Sequence, residues 1–263
     1  MPFHSPPTER NDLSMDRVPS KGPRVQAIFS AIARRYDLAN HLLSVGLDFS
    51  WRRLAGENVS KWQAGRVLDV ATGSGDLARA IRARSPEALV VGADFCQPML
   101  LTAAGKGLPL LVAADALCLP FEDGSFDAVT VAFGLRNMES WLGALCEMGR
   151  VLRPGGHLLV LDFSVPPPPL RWIYRPYLHY ARPWLAAFLT GEKAAYEYLG
   201  DSIEKFPQGA SMCDLIESAG FSASQCQPLS GGIVSLYTAE RSARTASALV
   251  ADAKSSAEMS KSV

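Results

Sequence analysis

Apolar strand-like runs alternating with helical ones predict an α/β fold on a mostly parallel, seven-stranded sheet whose last strand is antiparallel. Three observations carry that prediction. Between residues 66 and 163 strands and helices take turns, which calls for right-handed crossovers and helices on both sheet faces. The chain is 48% hydrophobic over 263 residues, enough to bury the core of one large domain. Near the end, SGG separates two strand-like runs and lets them pair antiparallel.

Residues 1–23 are polar and carry prolines, so a disordered tail is expected there. RVQAIFSAIARRYD follows, with Val25, Ile28, Phe29 and Ile32 at helical spacing. NHLLSVGLDFSWRRLAGENV reads as two more short helical pieces around Gly46, making residues 24–62 an N-terminal helical cap. RVLDVA is the first strand and ends in a glycine turn. DLARAIRAR is a helix with Asp76 in its first turn, and ALVVGAD is the second strand. QPMLLTAAG is a helix with Pro98 near its start and Gly105 at its end. LPLLVA and FDAVTVAF are the third and fourth strands. WLGALCEMGRVL is a helix stopped by the turn RPGG, and HLLVLDF is the fifth strand. Residues 165–205 break the pattern with VPPPPLRWIYRPYLHYARPWLAAFL, an inserted lobe rich in proline, aromatics and arginine. MCDLIESAGF is a helix, and SASQCQPL and GGIVSLYTAE are the last two strands. From residue 242 to 263 Ala, Ser and Lys predominate, and a second disordered tail is expected. Residues 24–241 thus form the domain.

Several functions are disfavoured at once. The 26 basic and 26 acidic residues balance with no like-charge block, which argues against nucleic acid as a partner. Cys96, Cys118, Cys146, Cys213 and Cys226 are scattered, without a CxxC pair, as suits a reducing, cytoplasmic compartment. His41, His157 and His179 have no ligand spacing, so no metal is expected. Neither a signal peptide nor a membrane span is recognisable.

VLDVATGSGDLA joins the first strand to its helix, and Gly73, Gly75 and Ala78 satisfy G-x-G-x-x-[GA]. The glycines allow a sharp turn and close approach to a ligand at the free N–H groups of the helix start. Asp94 ends the second strand, where an acid can bond ribose hydroxyls. An ordinary strand–helix turn could share this pattern; with the acid in place, a nucleoside-bearing cofactor is the better reading. Asp69 inside the first strand favours S-adenosylmethionine over a dinucleotide, because a pyrophosphate needs no neighbouring carboxylate whereas a sulfonium and an α-ammonium benefit from one. Asp115 after the third strand could accept the adenine amino group, although turn formation would also explain it.

LDVATGSGD, GADFCQPML, ADALCLPFEDGSFDAV and VLRPGG together resemble a Rossmann-like class I methyltransferase. RYDLANHLLSVGLDFSW, VLRPGGHLLVLDFS, FGLRN and YEYLGDSIEKFP are similar to the ubiquinone/menaquinone C-methyltransferase family, over roughly residues 24–240. That resemblance implies methylation of a ring carbon of a polyprenylated quinol, with demethylmenaquinol foremost. It also implies cofactor contacts at Ser74, Asp94, Asp115, Ala116 and Ala132. The family often has histidine where Asp48 stands, methionine at Ala39, glutamate at Asp162 and threonine at Ser74. Asp48 therefore receives no catalytic role.

A ring carbon becomes nucleophilic when a quinol hydroxyl loses its proton, so a proton acceptor and an oxyanion stabiliser are both wanted. Arg136 and Asn137 follow the fourth strand, at the carboxyl edge where open parallel sheets bind ligands. They are expected to orient the quinol oxygens; a surface salt bridge is the plain alternative for Arg136. Tyr36 and Asp37 of the cap are expected to close the other side and to help move a proton, with packing or capping as the alternative. The aromatics and arginines of the lobe fit a membrane interface, a lid over an apolar tail or a homodimer surface equally well as simple packing. Three rivals remain: a methyltransferase for a soluble small molecule, an NAD-linked reductase, and a non-enzymatic scaffold of the same fold.

Overall fold

The computed structural model describes Ser44 and residues 46–176 and 202–242. The strands are β1 (Arg66–Val70), β2 (Leu89–Asp94), β3 (Leu111–Ala113), β4 (Phe126–Ala132), β5 (Leu152–Phe163), β6 (Phe221–Leu229) and β7 (Val234–Arg241). They form one sheet in the order β3-β2-β1-β4-β5-β7-β6. The first five pair in parallel, and β7 runs antiparallel to both of its neighbours. The antiparallel last strand is present as expected, and it lies between β5 and β6. The turn that allows this is Ser230–Gly232, where Gly231 and Gly232 adopt left-handed φ values of 69° and 92°.

The helices are α1 (Leu47–Lys61), α2 (Asp76–Arg84), α3 (Gln97–Gly105), α4 (Trp141–Val151), α5 (Leu170–Pro176) and α6 (Ala210–Ser218). Strand alternation sorts the core into two faces. Leu68, Val129, Leu158 and Val160 pack with Leu145 and Met148 of α4 and Ile216 of α6. Val67, Ala128, Leu159 and Leu161 pack with Trp51 and Ala55 of α1 and Ile81 of α2. Each such fully buried aliphatic side chain stabilises the fold by about 1.5–3 kcal/mol before entropy is counted. Asp69 lies on the second of these faces, beside Thr130, its partner in the β1–β4 register.

Gly46, at φ 73°, precedes the continuous 15-residue helix α1, the second of the two pieces expected around it, while the first lies outside the described residues. One local reading changes. RPGG does not stand free between helix and strand: it belongs to β5, whose register jumps from Phe126–Leu152 to Ala128–His157. Asp127 holds this irregularity. Its carboxylate accepts the N–H groups of Gly65 and Arg66, each at 2.8 Å, and meets Arg153 at 2.9 Å. Both expected tails, the first helix of the cap, and residues 177–201 of the lobe lie outside the described residues.

Helix α1 sits on α2 at a glycine. A Cβ on Gly56 would lie 2.9 Å from the carbonyl oxygen of Ala80, which is backbone and cannot swing away. Alanine is the better helix former by about 1 kcal/mol, but the clash outweighs that gain. Gly56→Ala is expected to destabilise the fold by about 1–3 kcal/mol, read from urea denaturation midpoints.

Candidate active site

Strand order reverses between β1 and β4, and crossovers leave there for opposite faces, so a crevice opens beyond their carboxyl ends. The chain is strained along the floor of this crevice. Ala71 and Phe133, the residues just after β1 and β4, have left-handed φ values of 51° and 58°, unusual for residues with side chains. Gly73 and Gly75 are left-handed as well, at 56° and 85°. Gly134 is required for space: a Cβ there would sit 2.5 Å from the Cβ of Ala71.

Three adjoining compartments line up along the crevice. The first is lined by Asp94, Phe95, Asp115, Ala116, Leu117 and Met138. The middle one adds Gly73, Met99, Ala132 and Phe133, and shares Asp94, Gly134 and Asn137 with the first. The third is polar, lined by Arg52, Asp69, Thr72, Gly73, Ser74 and Asp76 among others.

Each acid is held by a different device. Asp94 accepts the N–H of Gly73 at 2.8 Å with one oxygen and that of Cys96 at 2.8 Å with the other. It therefore ties the glycine loop to the start of α3. Burial pushes its carboxyl up, against the downward pull of those N–H groups. Asp115 accepts the N–H of Leu117 at 2.9 Å, which closes a local turn, and the residue lines the first compartment. Asp69 is almost wholly buried and receives the hydroxyls of Thr72 at 2.6 Å and Thr130 at 2.7 Å. Burial raises its pKa to about 6 despite both hydrogen bonds. Asp76 meets Lys106 at 2.7 Å. Gly75 caps α2 from a position where a Cβ would strike Leu108 at 2.1 Å.

Asn137 lines the first two compartments, and its amide donates to the Phe133 carbonyl at 3.3 Å. Arg136 lies one residue back along the same short turn and does not line them. Its guanidinium is buried, donating to Asp162 and to the Phe133 carbonyl, both at 2.6 Å, and lying 5.2 Å from the Phe163 ring centre. Its Nε has no partner among the described residues. The salt bridge weighed for this arginine therefore exists, but inside the protein rather than on its surface. Burial pushes the Asp162 carboxyl up, while Arg136 draws it back down. Tyr36 and Asp37 lie outside the described residues. Sequence reading missed Arg52, Thr72, Thr130 and Phe133 as site residues. For Arg52 the signal was available: it follows Asp48 by four residues, one helical turn.

The donor set fits S-adenosylmethionine. One end is an apolar slot with a carboxylate at its rim, the middle carries Asp94, and the far end is polar and charged. This fold and site define a class I, S-adenosylmethionine-dependent methyltransferase. Solved structures of the same fold include a methyltransferase, possibly acting on histamine, from Thermotoga maritima (TM-score 0.60, 18% identity, 82% of this chain and 99% of that one). Human N-acetylserotonin methyltransferase in complex with S-adenosylmethionine is another (TM-score 0.55, 18% identity, 82% of this chain and 59% of that one). Within the class the chain belongs to the ubiE/COQ5 methyltransferase family, which it matches over residues 17–241. Its relatives include the demethylmenaquinone methyltransferase of Thermus thermophilus, 46% identical over 81% of this chain and 100% of that protein. The ubiquinone/menaquinone biosynthesis C-methyltransferase of Syntrophotalea carbinolica is 43% identical over 84% and 95%.

Leaving half of the Arg136–Asp162 pair buried alone is costly. Asp162→Ala is expected to lower stability by about 3–5 kcal/mol. The double change Arg136→Met with Asp162→Leu should recover much of that loss in the same urea titration, since an apolar pair leaves no stranded charge.

Proposed function

We propose that this protein methylates a ring carbon of a polyprenylated quinol, converting demethylmenaquinol to menaquinol, with a benzoquinol of ubiquinone biosynthesis as the second acceptor to test. One observation carries the reading: a crevice suited to the methyl donor opens beside Asn137 in a chain of this family. The donor supplies an electrophilic methyl group on a sulfonium whose leaving group is a neutral thioether. The residues proposed to hold it are Asp69, Gly73, Ser74, Gly75, Asp94, Asp115, Ala116 and Ala132. Their main contribution is orientation, because an in-line displacement demands a narrow geometry.

Asn137, able to donate and accept, is proposed to hold an acceptor oxygen from the wall of the crevice. A neutral amide serves here without forming an ion pair beside the sulfonium. Arg136 is proposed to steady the developing oxyanion from behind that turn, its guanidinium fixed by Asp162. Tyr36 and Asp37 are proposed to complete the site and carry the proton away. The acceptor's prenyl tail partitions into lipid, so peripheral contact with the inner face of the cytoplasmic membrane is part of the proposal. Trp172 on α5, 73% exposed, belongs to the lobe that would make it. A homodimer through the same lobe is the competing use of that surface. Among the described residues no helix is long and apolar enough to cross a membrane.

The direct test incubates the purified protein with S-adenosylmethionine and reduced demethylmenaquinone and weighs the quinone. A gain of one methyl on the ring is expected, and a product methylated on oxygen would refute the assignment.

Asp69 makes the donor site pH-dependent in a definite direction. Its folded pKa of about 6 lies above the ordinary 3.8, so the folded apoprotein loses stability as pH rises between these values and is level above them. Donor binding runs the other way, because the ionised carboxylate is the form that attracts a cation. Calorimetry should show affinity level above pH 7, weakening as pH falls through about 6, with proton release on binding near that pH. Asp69→Asn should bind more weakly and abolish this dependence.

A further inference from the structure

We propose that Arg52 of α1 binds the α-carboxylate of S-adenosylmethionine, opposite Asp69, and that Asp48 is the residue that positions it. The third compartment then reads the amino-acid end of the donor as a zwitterion. The inference rests on the donor assignment above and adds a binding residue on the cap helix.

Placement is the first argument. Arg52 lines the compartment that also holds Asp69, Thr72, Gly73 and Ser74. Among the described residues lining the three compartments it is the one cation, against Asp69, Asp76, Asp94, Asp115 and Glu139. Arg52 is the one fixed positive charge among the described lining residues that a carboxylate entering this crevice would meet. An α-ammonium meets attraction at Asp69. Asp76 also lines this compartment but is already paired with Lys106, so Asp69 and Arg52 are left within it to match the two charges of an α-amino acid.

Rigidity is the second. The Arg52 side chain is only 12% exposed, so its charge is poorly screened. One of its terminal nitrogens donates to Asp48, four residues earlier on the same helix, whose side chain is 4% exposed. The guanidinium lies 5.3 Å from the centre of the Phe133 ring, and stacking of this kind limits its rotation. Helix α1 is itself fixed, because the indole N–H of Trp51 donates to the Ser230 hydroxyl at 2.9 Å. An arginine fork held on one side by a carboxylate keeps donors for a second carboxylate on the other.

The test is calorimetry on the full chain, and its decisive pair is S-adenosylmethionine and decarboxylated S-adenosylmethionine, both sulfonium ions that differ only by the carboxylate. S-adenosylhomocysteine has both charges, decarboxylated S-adenosylmethionine lacks the carboxylate, and methylthioadenosine lacks the whole end. Wild type should prefer S-adenosylmethionine to its decarboxylated form by about 10- to 100-fold, the range of one charge-assisted pair. Arg52→Met keeps an unbranched side chain without the charge and should erase that preference. Its affinity for methylthioadenosine should stay within about twofold of wild type. Arg52→Lys should retain part of the preference, and Asp48→Asn should weaken it without removing it.

Equal affinity of wild type for the carboxylated and decarboxylated donors overturns the proposal without any variant. So does an Arg52→Met protein that loses all ligands alike, which would assign the arginine to cap packing. Wild type that binds none of these nucleosides refutes the donor assignment instead, so the two failures are told apart.

Discussion

Two strand ends pass so close beneath the crevice that no side chain fits between them. Ala71 leaves β1 and Gly134 follows β4 at a separation that a Cβ on residue 134 would close to 2.5 Å. Everything else in the site is hung from that contact. It drives Ala71 and Phe133 into left-handed backbone, turns the glycine loop upward toward α2, and lets Asn137 face the same space as Asp94 and Asp115. Strain of this sort persists only where the surroundings over-determine it. Here the surroundings are two packed helical layers and a ladder of apolar side chains that leaves little freedom at the strand ends.

Against that apolar background the protein buries two ionic arrangements, and they differ in kind. Asp69 is satisfied by neutral hydroxyls and keeps its charge at a cost, which suits a group meant to meet a cation later. Asp162 is satisfied by Arg136 and by the N–H of Phe163, at 2.8 Å, so its charge is already met from within. The first is poised for a ligand, while the second braces the turn from which Asn137 projects. Their chemistry separates roles that look alike in the amino-acid string, where both are single aspartates near the carboxyl end of a strand.

Much of this is legible in the amino-acid string itself. Strands β1 to β5 announce themselves as apolar runs bounded by glycine, and GSGD with Asp94 locates the crevice, because both rest on local periodicity and local turn chemistry. The position of β7 between β5 and β6 is not legible there: pairing order depends on contacts far apart in the chain, and GGIVSLYTAE looks the same at an edge or in the middle. The orientation of Arg136 escapes for a similar reason. Its partner is 26 residues away on another strand, so nothing adjacent shows that the guanidinium turns inward. RPGG misleads in a third way, since Asp127 and Arg153 recruit a turn-forming tetrapeptide into an irregular stretch of strand.

The bond from Trp51 to Ser230 spans 179 residues, and it gives the molecule a timetable. On the ribosome α1 emerges early, yet the surfaces it rests on, Phe163, Val234 and Leu236, are made later, two of them almost at the end of the domain. The glycine loop and its acid are complete by residue 94, but the wall that carries Arg52, though it can already rest on α2, gains its full seat on the sheet only when the final hairpin is out. Nascent chains consequently hold half a nucleoside site without its cover. Long-range closure of this kind is slow relative to helix formation, so the donor can stabilise the finished protein but not guide its early folding.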